Sequence, residues 1–83
     1  MPPTPSPSGT WSAIKAKHSC DGNSLKTLKD VTLAACKAEC EAEPKCGCID
    51  LKHGASGKAN CELNTQKAAS QDAGYDAYTY TRN

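Results

Sequence analysis

The sequence predicts an α+β fold: a single helix packed on a twisted antiparallel sheet of about five strands, stapled by three disulfides. Three observations carry this reading. Six cysteines in 83 residues are an even number in a chain too short to bury a large core, which favours a disulfide framework made in an oxidising compartment. One segment, from Thr32 to about Glu43, has helix-forming composition, while short runs suited to strands recur elsewhere between turn residues. Hydrophobic residues make up only 37 %, with no Phe and one Trp, so burial alone leaves stability marginal and covalent staples are needed.

The elements follow in chain order. Four of the five prolines fall in residues 2–7 among Ser and Thr, so residues 1–10 read as an extended Pro/Ser-rich linker or an appended tail. The domain is expected over residues 11–83. Trp11 to Cys20 alternates enough for a first strand, and Asp21-Gly22-Asn23-Ser24 reads as a turn. Leu25 to Val31 is ambiguous, with a short strand over Leu25–Leu28. Thr32 caps the helix and Pro44 ends it. On that helix Leu33, Cys36 and Cys40 share one face, and Lys37, Glu39, Glu41 and Glu43 mostly face away. Residues 46–53 and 59–63 pair as a hairpin around the flexible loop Gly54–Lys58, Thr65–Gly74 reads as loop, and Tyr78–Thr81 is the last strand.

Residues 36–48 contain four of the six cysteines. Cys36 and Cys40 lie one helical turn apart, about 6 Å along the axis. Cys46 and Cys48, two apart on a strand, would share a face at about 6.6 Å. These matched spacings suit a helix cross-linked face to face with a strand. The zinc alternative fits poorly, because the spacings are C-x3-C and C-x-C and the two histidines, His18 and His53, are far apart in sequence. A C-x-x-C redox motif is absent. No metal or other cofactor is expected.

Ten basic and nine acidic residues are mixed along the chain, which gives no footprint for nucleic acid or an anionic membrane. Lys15, Lys17, Lys26 and Lys29 form at most a mild basic strip. No apolar run approaches the roughly 18 residues that span a bilayer. The first residues do not read as a signal peptide, so the chain is expected to be a domain of a longer secreted protein. No spacing fixes a catalytic carboxylate pair or triad, and an enzyme is not expected.

Cys36-x3-Cys40-x5-Cys46, followed by Cys61-Glu62-Leu63, resembles the core of PAN/apple domains; Cys20-Asp-Gly-Asn-Ser-Leu and the terminal Tyr-x-Tyr strand are also similar to it. The resemblance covers Trp11 to Arg82. It implies disulfides Cys36–Cys61 and Cys40–Cys46, which leaves Cys20 with Cys48. The helix-to-strand spacing equally permits Cys36–Cys48 with Cys20–Cys61, so connectivity is open at this point. Two departures stand out: the terminal cysteine pair of blood-protease apple domains is missing, and Cys48 stands where an apolar residue is usual.

The compact cysteine set looks like that of apple domains in microneme adhesins of apicomplexan parasites. That resemblance implies secretion through an organelle to the parasite surface and an adhesive role. It implies a galactose-binding lectin for host-cell glycans or, alternatively, a module that docks a partner adhesin or protease without sugar. The isolated domain is expected to be monomeric, with avidity supplied by tandem copies.

A neutral-sugar site needs fixed donors and acceptors for hydroxyls and an aromatic face for the pyranose. The hairpin offers Asp50, Lys52, His53, Lys58 and Asn60, and the last strand offers Tyr75, Tyr78 and Tyr80. Lys58 ranks first, because a glycine-flanked loop presents an ammonium able to donate to two adjacent hydroxyls. Against this, loop lysines and strand-end polar residues are commonly just solvated, at least one tyrosine must fill core in a chain without Phe, and Trp11 reads as packing.

Overall fold

In the computed structural model, which describes residues 9–53, 57–65 and 69–82, one helix packs on a curled antiparallel sheet. The strands are β1 (Gly9–Trp11), β2 (Lys15–Cys20), β3 (Ser24–Val31), β4 (Cys46–His53), β5 (Ala59–Thr65) and β6 (Ala69–Arg82), and the helix α1 (Leu33–Ala42) lies between β3 and β4. The sheet order is β1-β6-β4-β5-β3, with β2 also paired to β6. Six strands replace the expected five because the segment read as one strand from Trp11 to Cys20 is two. Its ends pair at different places along the long β6: Trp11 opposite Tyr80, and Cys20 opposite Ala69.

The helix forms where its chemistry dictates. Thr32 is extended at the N-cap and its hydroxyl accepts from Ala35 N–H at 3.2 Å. Glu43 closes the other end, its N–H donating to the Cys40 carbonyl, just before Pro44. Cys36 and Cys40 are fully buried against the sheet.

Strand parity sorts the sheet into two faces. Ile49, Leu51, Ala59, Cys61, Leu63 and Tyr80 join Cys36, Cys40 and Cys46 in the core beneath the helix, with Trp11, Leu25, Leu28, Val31, Leu33 and Tyr78 packed around them. On the opposite face Asp50 stands across from Glu62 and Lys52 across from Asn60.

The disulfides are Cys20–Cys48, Cys36–Cys61 and Cys40–Cys46, with Cα separations of 6.0, 6.1 and 5.3 Å. This is the pairing implied by the apple resemblance, and it excludes Cys36–Cys48. The reason corrects the expectation that Cys46 and Cys48 share a face. Cys46 pairs with Thr65 and Cys48 with Asn64, so β4 advances two residues for one of β5 at Gly47. That bulge turns Cys46 toward the helix and Cys48 to the other face, where it meets Cys20 at the end of β2.

Three further register shifts interrupt the pairing, one between β2 and β6 and two between β3 and β5. Lys17 and Asp30 take left-handed φ of 60° and 58° at the register shifts of β2 and β3. Both amides are bonded across the sheet, Lys17 N–H donating to Asp76 at 3.1 Å and Asp30 N–H to Asn60 at 3.2 Å. Ala69–Gly74, expected as loop, belongs to β6: Ala69, Ser70 and Gln71 pair with Cys20, Ser19 and His18, and residues 72–75 form the irregularity opposite Lys17.

Gly22 is fixed by close approach: a Cβ there would collide with the Thr65 backbone carbonyl, while Thr65 N–H donates to the Asn23 carbonyl at 3.0 Å. Backbone cannot yield as a side-chain tip would. Gly22→Ala is therefore expected to cost about 1–3 kcal/mol, read as a lowered thermal midpoint; an unchanged midpoint would show that the turn can shift freely.

Candidate functional site

The Cys20–Cys48 bridge folds the β2–β6 arm back over the helix-free face of β4 and β5. Cys20 N–H donates to Asp50 Oδ2 at 2.9 Å, which ties the arm to the middle of β4. Between arm and sheet lies an open cleft of about 340 Å3, lined from below by Asp50, Lys52, Asn60 and Glu62, and from the arm by Ser19, Asp72 and Tyr75. Thr27 of β3 closes its far side.

Four residues singled out from sequence thus meet in one place: Asp50, Lys52, Asn60 and Tyr75. The hairpin explains three of them, since positions 50, 52, 60 and 62 alternate onto one face. Asn60 has its side-chain oxygen committed to Asp30 N–H at 3.2 Å, so it offers its amide nitrogen as a donor.

The remaining candidates lie elsewhere. Tyr80 is 1 % exposed, stacked in the core 4.7 Å from the Trp11 ring. Trp11 in turn donates from Nε1 to Glu41 at 3.0 Å, which confirms its packing role. Tyr78 sits on the helix face with the Lys37 ammonium 4.8 Å from its ring centre; burial, then Asp76, raises its phenol above the ordinary value. Lys58 is exposed and does not line the cleft. The backbone of His53 ends β4, and its side chain lies outside the described residues, as does the loop from 54 to 56. The four lysines do not form one strip. Lys15 and Lys17 are on β2 and Lys26 and Lys29 on β3, at opposite sides of the sheet, and Lys26 pairs with Glu39 at 3.3 Å.

Sequence reasoning missed Ser19, Thr27, Glu62 and Asp72. Glu62 was within reach, by the same parity that selects Asn60. Ser19 and Asp72 were not, because the arm reaches the cleft through contacts distant in sequence, the Cys20–Cys48 bridge and the pairing of Asp76 with Leu51.

Asp50 is the most constrained of these groups, at 4 % exposed. Burial pushes its carboxyl above the ordinary value of 3.8; the Cys20 N–H opposes this, and Glu62 and Asp72 add to it. A folded pKa above the unfolded one makes Asp50 favour folding below about pH 4, a contribution lost as pH rises through the raised value. Asp50→Asn keeps an oxygen for the Cys20 N–H but cannot ionise. The variant is expected to be more stable than the parent at neutral pH, with the difference vanishing below about pH 4. Thermal melts across pH check this; a variant that loses ground as pH rises would contradict it.

Chemically the cleft can hold a polar ligand. It offers carboxylate acceptors, ammonium and amide donors, hydroxyls and one aromatic ring, without a cluster of His, Cys, Asp and Glu fit for a metal among the described residues. All six cysteines are in disulfides, which fits an oxidising, extracellular setting. No helix among the described residues is long and apolar enough to cross a membrane. No family model, curated protein or solved structure matches this chain.

Proposed function

We propose that the chain is a carbohydrate-binding adhesion domain that takes a galactose-type terminal sugar in the cleft between the β2–β6 arm and the β4–β5 hairpin, as one module of a secreted adhesin of the PAN/apple type. The observation that carries this reading is the convergence of Asp50, Lys52, Asn60 and Tyr75 on a cleft of about 340 Å3, within the range of small-ligand sites.

Each group has a part. Asp50, held by the Cys20 N–H, has lone pairs to accept from a sugar hydroxyl. Lys52 and Asn60 donate to hydroxyl oxygens. Tyr75 gives the apolar face of the pyranose a surface to stack on. The arrangement is shallow and open, as suits weak single-site binding multiplied by neighbouring modules.

A glycan array probed with the intact, oxidised domain in multivalent form tests the reading. Retention on galactose-terminated glycans, abolished by free galactose, is the expected result. Binding to no glycan, with a purified partner adhesin captured instead, would replace the lectin with a protein-docking module.

A further inference from the structure

We infer that the cleft selects its sugar by charge: it favours a hexose carrying a free, protonated amino group over the neutral hexose, and rejects uronic, sialylated and sulfated sugars. The inference rests on the glycan-binding reading above and names the substrate class of that same site.

Among the described residues, three carboxylates on three strands line the cleft, Asp50 of β4, Glu62 of β5 and Asp72 of β6, with one ammonium, that of Lys52. Lys17 flanks Asp72 in an adjoining groove that it shares with Gln71 and Ala73, so it lies outside the cleft proper. The Lys26–Glu39 pair belongs to the helix side of the molecule. Asp50 is buried and pinned by a backbone donor, so it cannot swing into solvent to escape its neighbours. Asp72 is likewise turned locally, its Oδ1 accepting from Gly74 N–H at 3.2 Å.

Glu62 and Asp72 act on the buried Asp50 carboxyl as like charges, and among the described lining residues the carboxylates outnumber the ammonium. A ligand ammonium among them relieves the repulsion; a ligand carboxylate or sulfate adds to it. Charges a few ångströms apart at a protein surface interact strongly enough to alter affinity severalfold, and salt screens the effect.

The test is a titration of the isotopically labelled domain, followed by amide shifts, with galactose, galactosamine and galacturonate at about pH 6, where a sugar amine is protonated, in low and high salt. Galactosamine is expected to bind about three- to tenfold tighter than galactose and galacturonate more weakly than either, with the spread narrowing in high salt. In Glu62→Gln and Asp72→Asn the galactosamine-to-galactose ratio should fall toward one. Galacturonate binding as tightly as galactosamine, or a ratio unmoved by both variants, would overturn charge selection and leave the galactose site standing. No shift in the cleft with any of the three sugars would overturn both readings.

Discussion

A Cys36→Ala/Cys61→Ala protein is expected to lose its cooperative thermal transition near physiological temperature. This bridge ties α1 to β5 across 25 residues of sequence, a loop whose closure restricts the unfolded chain by about 3.5 kcal/mol. Both sulfurs are also in the core cluster and fully buried, so their removal leaves a void at the helix–sheet contact that adds to the loss. A domain of this length has only about 4–12 kcal/mol in total, and one without Phe is expected toward the lower end. The Cys20→Ala/Cys48→Ala protein loses a similar loop constraint, over 28 residues, yet Cys48 lies outside the core cluster. It should keep its helix and core and lose the β2–β6 arm, and with it ligand binding. Circular dichroism melts of the two variants beside the parent check the contrast; equal midpoints for the core pair and the parent would contradict it.

Tyr75→Ala is expected to weaken galactose binding about tenfold or more, a change of roughly 1.4 kcal/mol per decade, while Lys58→Met leaves affinity where it was. The ring lines the cleft and is half-buried there, so truncation removes the stacking surface without opening the core beneath the helix. Lys58 is exposed beside Gly57 and outside the lining. The pair of variants separates the two ends of the hairpin. If Lys58→Met abolished binding and Tyr75→Ala did not, the sugar would sit over the loop rather than under the arm.

What the sequence could reveal followed from local chemistry. Thr32, the alanine- and glutamate-rich run and Pro44 delimit α1 within a residue or so of where it forms, because capping and propensity act within a few residues. The β4–β5 hairpin was legible for the same reason, and its parity brings Asp50, Lys52 and Asn60 together.

The rest depends on contacts distant in sequence. Ala69-Ser-Gln-Asp-Ala-Gly74 has little strand propensity of its own, and joins β6 where β2 pairs with Ala69, Ser70 and Gln71. The bulge at Gly47, which sends Cys46 and Cys48 to opposite faces, inverts the simple two-residue alternation on which their shared face was expected. Tyr80 and Tyr75 both punctuate the last strand, and which is core and which lines the cleft follows from where the curled sheet places its inner face. The acidic character of the cleft was hidden too, since Asp50, Glu62 and Asp72 come from three strands in a chain whose charges are nearly balanced.

Whether a sugar binds in the cleft is read most directly from a galactose titration of the labelled, oxidised domain followed residue by residue. Saturable shifts are expected in the amides of Ser19, Cys20, Asp50, Lys52, Asn60 and Tyr75, with Lys37 and Tyr78 on the helix face unmoved. Shifts confined to Gly57 and Lys58 or to the helix face, or none at all, would contradict a sugar site in the cleft.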